Sequence, residues 1–115
     1  MVDAALLHYG RAVELTPFNV HYRMMLAYLY WTTGDLENAR VHVETCIQQE
    51  PVFFAGRHVL KEILESQGRH SEAEIVAQEL GGIKENYKGY VPRSRYEGWL
   101  LMEPSVYVEK FLKRA

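Results

Sequence analysis

Residues 17–51 read PFNVHYRMMLAYLYWTTGDLENARVHVETCIQQEP. Tyr22, Met25, Leu26, Leu29 and Tyr30 recur at helical spacing, which places them on one side of a helix running from about Asn19 to Thr33. Gly34-Asp35 breaks that run, because glycine suits a left-handed cap and aspartate suits the start of the next helix. The second helix spans Leu36 to Gln49, with Leu36, Ala39, Val43, Cys46 and Ile47 in one stripe. Pro51 stops it, since proline disfavours helix at the residue before it.

Working outward, the same plan recurs with a fixed period. Pro17 and Pro51 stand 34 residues apart, as do Gly34 and Gly68, and Ala5, Ala39 and Ala73 keep the same interval. Arg23 aligns with Arg57, Leu26 with Leu60, Leu29 with Ile63 and His8 with His42. A period of this length signals stacked helical hairpins, each of which buries its apolar face against a neighbour. The expected organisation is a half repeat over 1–17, full repeats over 18–51 and 52–83, and a divergent segment over 84–115. In the second full repeat one helix covers 53–66 and another starts near Ser71, with Gly81-Gly82 expected to end it. A chain that opens in mid-repeat leads to the expectation of a piece cut from a longer array.

The last segment leaves the period. Residues 86–95 read as a loop, and Pro104 separates two short helices over Tyr96 to Met102 and Ser105 to Lys113. Tyr96, Trp99 and Leu100 form one apolar stripe, and Tyr107, Val108, Phe111 and Leu112 a second. Both are expected to fold back on the last repeat as a cap.

Composition narrows the function. The 115 residues are 48% hydrophobic and 24% charged with a formal net charge of -2, the profile of one ordinary soluble globular domain. No apolar run approaches the roughly 18 residues of a membrane span, and no secretory signal is visible. Residues 1–83 carry six bases against eleven acids, and 84–115 seven bases against four acids. Bases so mixed with acids fall short of a nucleic-acid-binding run. The composition is that of a soluble domain and leaves the compartment open between the cytoplasm and, if the chain is excised from an exported or membrane protein, the periplasm.

The repeat resembles the tetratricopeptide family, whose 34-residue helix-turn-helix unit has a small residue early in its second helix, a larger apolar residue four positions on, a small residue three further, and a closing proline. Ala39, Val43, Cys46 and Pro51 match those places, as do Ala5, Tyr9, Ala12 and Pro17, while Leu26, Ala27 and Tyr30 match the packing places of the first helix. Residues 3–82 carry the resemblance. It weakens in the last unit, where Lys61 and Leu80 occupy small-residue places and no proline follows, and Arg23 and Arg57 stand where the family often has tryptophan. The implied fold is an all-α solenoid of about two and a half repeats plus a C-terminal helical cap.

The resemblance also implies a concave face lined by the first helix of each unit. Its places hold His21, Met24, Tyr28 and Trp31, then Ala55, His58, Glu62 and Glu65. Aromatics, a flexible methionine and carboxylates suit an amphipathic helix or extended peptide bearing a basic or hydrogen-bonding group. The cations and amides with which some family members grip carboxylate tails are missing, and Glu62 and Glu65 repel such a tail. The competing arrangement has the C-terminal segment covering Tyr28 and Trp31, so that the groove is filled from within.

Other chemistry has thin support. His42 and Cys46, and His58 and Glu62, have the i, i+4 spacing of metal ligands, but two ligands are too few and Cys46 fits a packing place. No nucleophile-base constellation, phosphate loop or dinucleotide motif is present, so neither an enzyme nor a cofactor is expected. Tyr87, Tyr90, Tyr96, Trp99 and Tyr107 among Lys88, Arg93, Arg95 and Lys110 resemble a stacking surface for nucleotides or sugars, and the cap is the preferred account of them. The expected function is a protein interaction module. The alternative is a structural or self-associating end segment of a larger multi-repeat bacterial envelope or polysaccharide-assembly protein.

Overall fold

Two turns show how the sequence period becomes structure. In the computed structural model, which describes residues 2–113, helix α2 (Val20–Thr32) ends at Gly34 with φ +88°, and α4 (Phe54–Ser66) at Gly68 with φ +75°. At the first turn the amide of Asp35 donates to the Tyr30 carbonyl at 2.9 Å and that of Gly34 to Trp31 at 3.1 Å. At the second, Arg69 donates to Leu64 at 2.8 Å and Gly68 to Glu65 at 3.0 Å. This is one Schellman cap made twice, and it needs the left-handed residue that glycine supplies without steric cost.

The turns after α1 (Val2–Leu15) and α3 (Leu36–Gln49) also match at an interval of 34 residues. After α1 the amide of Asn19 donates to Thr16, and after α3 that of Phe53 donates to Glu50, at 3.0 and 3.1 Å. Helix starts are less uniform. Asn19 caps α2 by accepting from the His21 amide, and Asp35 caps α3 by accepting from Asn38. Neither Phe53, before α4, nor Arg69, before α5 (His70–Asn86), makes a side-chain cap bond.

Every described element is helical. Helices α1 to α4 each pack on the helix that follows. Fully buried side chains of α2 (Val20, Met24, Ala27), α3 (Ala39, Val43, Cys46) and α4 (Phe53 at its entry, Ala55, Val59, Ile63) build one core. The alanines and Cys46 lie where helix backbones approach closely. Arg23 and His42, both expected from the register, meet across the α2–α3 contact with Arg23 Nη1 3.3 Å from His42 Nδ1.

Two expectations at the C-terminal end are corrected. Gly81-Gly82 does not end α5, which continues to Asn86. Neither glycine has a positive φ, and Lys84, one turn on, pairs with Glu103 at 2.8 Å. The left-handed stop is Gly89, φ +80°. The last expected helix is also divided. Helix α6 (Arg95–Leu100) is followed by a short α7 with Pro104 at its first position (Pro104–Tyr107), which runs into a wider π turn (Val108–Leu112). This segment folds back on α4 of the last expected repeat through α7, and its π turn reaches α2.

Candidate functional site

Helices α2 and α4 both meet the C-terminal segment, and the seven side chains singled out above divide there into two groups. His21 and Met24 are inside the protein, at 5% and 0% exposure. His21, early in α2, lies beneath α6, α7 and the π turn, and Met24 belongs to the core. The His21 ring lies among Phe53, Tyr96, Trp99, Tyr107 and Phe111, with Trp99 nearly perpendicular at 4.8 Å between centroids. Its Nδ1 stands 2.7 Å from the Tyr107 hydroxyl. Burial lowers the His21 pKa to about 4 and raises that of Tyr107 well above the phenol range, so both are neutral at pH 7. His21 Nε2 has no hydrogen-bond partner among the described residues.

Thus the face expected to be open is filled at one end from within. At the other end a pocket of about 310 Å³ remains, with Tyr28, Trp31 and Thr32 from α2, His58 and Glu62 from α4, and Val108 and Lys113 from the C-terminal segment. Tyr28 and Trp31 stand edge to face, 5.8 Å apart at 88°. Glu62 lies 3.8 Å from His58 and 3.7 Å from Lys61. Burial lowers the His58 pKa, a direction that Lys61 reinforces and Glu62 opposes. Glu65 is exposed near the end of α4 and does not line the pocket.

Chemically, the pocket offers two aromatic rings, an aliphatic wall at Val108, the His58 imidazole, one carboxylate at Glu62 and one ammonium at Lys113. Thr32, Val108 and Lys113 had not been foreseen as lining residues. The stripe Tyr107, Val108, Phe111 and Leu112 was the available signal for the tail, but spacing along one helix does not say which groove that helix enters.

The other candidates have structural partners. His42 stacks on Tyr30, 5.6 Å apart at 4°. The Cys46 thiol is buried, donates to the Val20 carbonyl at 3.6 Å and has its pKa raised to about 12 by burial. Among the described residues no three His, Cys, Asp or Glu side chains gather as metal ligands, and no helix is long and apolar enough to cross a membrane. Of the tail aromatics, Tyr96, Trp99 and Tyr107 turn inward around His21. Tyr87 and Tyr90 pair with each other at 5.3 Å, and the Tyr90 hydroxyl donates to Glu97. Comparison with protein families, with curated proteins and with solved structures returns no match.

Proposed function

We propose that this chain is a protein interaction module of the tetratricopeptide-like kind, which binds a peptide or helix in the pocket between α2, α4 and the C-terminal segment. The observation that carries this reading is the perpendicular Tyr28–Trp31 pair set beside the Glu62 carboxylate. Paired rings offer a rigid apolar surface at little cost in side-chain entropy, and ring faces attract cations. A partner with an apolar anchor and a neighbouring Lys or Arg gains burial on the rings and a charge-assisted bond to Glu62. The recurrence of the same turn hydrogen bonds after 34 residues, and the packing of each of α1 to α4 on the helix that follows it, support the repeat reading on which this rests.

In this account the tail shortens the concave groove. His21 helps to hold the plug, while Tyr28, Trp31, His58 and Glu62 remain for a partner. Selection from a display library of amphipathic helical peptides with a central Lys or Arg tests the proposal. Trp31→Ala is expected to weaken a selected peptide about 30-fold, the cost of a typical aromatic anchor of about 2 kcal/mol. Glu62→Lys is expected to remove the preference for basic peptides and leave the thermal midpoint unchanged. Binding indifferent to both substitutions counts against this pocket.

A further inference from the structure

The pocket makes no use of His21, a buried titratable side chain at the boundary between α2 and the C-terminal segment. Five rings surround its imidazole, and four of them, Tyr96, Trp99, Tyr107 and Phe111, belong to that segment. The fifth, Phe53, comes from the repeat body. An imidazolium donates from both ring nitrogens. Nδ1 has the Tyr107 hydroxyl at 2.7 Å, but Nε2 is buried with no hydrogen-bond partner among the described residues. A proton added to His21 therefore leaves a charged N–H against hydrocarbon, which costs more than an unpaired neutral group. Attraction to the ring faces offsets part of that cost without replacing the missing acceptor.

Among the described residues no carboxylate pairs with His21. Glu50, at the end of α3, acts on the Tyr96 hydroxyl, and the Cys46 thiol is neutral and bonded to Val20. On α6 Arg95 is exposed and Glu97 is held by Tyr90 and Arg93. Before and after α7, Glu103 pairs with Lys84 and Glu109 with Lys113, while Lys110 lies 5.6 Å over the Phe111 ring and adds a like charge. Arg23 on α2 turns to His42, and His58 on α4 faces the open pocket beside Glu62.

We propose that the C-terminal segment is a pH-sensitive latch: protonation of His21 releases residues 95–112 from the face of α2 and α4 while α1 to α5 stay packed. Release of this segment is the shortest way to bring water to Nε2, since four of the five covering rings leave with it. The segment is built of short elements, and residues 88–95 leading into it are exposed. Its polar ties to the body include the exposed Lys84–Glu103 pair and a 3.4 Å bond from the Tyr96 hydroxyl to the Phe18 carbonyl. By contrast, each of α2 to α4 packs on both the helix before it and the helix after it. At neutral pH the burial of Tyr107 and Leu112 keeps the segment docked. Release uncovers His21 and Phe53 and takes Val108 and Lys113 from the pocket wall, a consequence for binding that rests on the interaction-module reading.

Amide hydrogen exchange of the full chain alone, read by NMR as protection factors at pH 7 and pH 5, tests the latch separately from the peptide selection above. With an imidazole pKa of about 4 when docked and 6.5 when free, release becomes about 20-fold more frequent over that range. Amides of α6, α7 and the π turn should be less protected than those of α2 to α4 at both pH values, and should lose about 20-fold in protection between them. His21→Gln, neutral throughout, should make the protection of the segment independent of pH. In the wild type the His21 ring signal should remain that of a neutral imidazole down to about pH 5. A segment as well protected as α2 to α4 overturns the proposal, because it then leaves only with global unfolding. Protection that is flat in the wild type, or that falls equally in His21→Gln, overturns it as well. A His21 midpoint near 6.5 does so whether or not the variant folds.

Discussion

His21 couples pH to stability. Unfolded, its imidazole has an ordinary pKa near 6.5, and folded it is held at about 4 by burial among aromatic rings. The folded state favours the neutral base, so its contribution is fully present above about pH 6.5 and is lost as pH falls toward 4. By pH 5 the loss amounts to about 2 kcal/mol. Denaturant unfolding at pH 7 and pH 5 should show this difference, and His21→Gln should remove much of it. His42 and His58, also lowered by burial, add in the same direction. Cys46 gives a second test at this scale. Buried, and with its thiol pKa raised to about 12, it should react with a thiol reagent only as fast as the protein opens, so that mild denaturant accelerates labelling.

At the scale of elements, glycines separate what is legible in sequence from what is not. Gly34 and Gly68 share a register and a turn chemistry, and the structure gives both the left-handed conformation. Gly81 and Gly82 look like a stop by the same local rule, yet they lie inside α5. Glycine permits a helix to end but does not end it, and the last turn of α5 carries Lys84, which pairs with Glu103. The two kinds of site should therefore respond oppositely to alanine. Gly34→Ala and Gly68→Ala place a Cβ on a left-handed residue and should each destabilise by about 1–2 kcal/mol. Gly81→Ala or Gly82→Ala enters a helix with nothing within 4 Å and should stabilise by up to about 1 kcal/mol. Thermal unfolding of the four variants measures both signs.

For the whole molecule, the central feature is a C-terminal segment that folds into the face shared by α2 and α4. Helical periodicity exposes the apolar stripes of Trp99 and Tyr107 but not their destination, since docking depends on residues some 80 positions earlier. Of the seven expected site residues, Tyr28, Trp31, His58 and Glu62 come together at the pocket, whereas His21 lies against the tail and Met24 is in the core. Tyr107 is fully buried and contacts His21 and Phe53. Tyr107→Ala should therefore destabilise the protein by about 3–5 kcal/mol, the range for a large aromatic lost from a core. A thermal midpoint indifferent to that change would detach the tail from the fold.

The chain has two tryptophans, Trp31 at the pocket and Trp99 on α6 of the tail against His21, and their indole N–H resonances report on the two places separately. The decisive measurement is a nitrogen-15 NMR titration with an amphipathic helical peptide carrying leucines and a central arginine. The account predicts a saturable shift of the Trp31 indole signal while that of Trp99 stays in place. A shift confined to Trp99, or binding that moves neither signal, would contradict it.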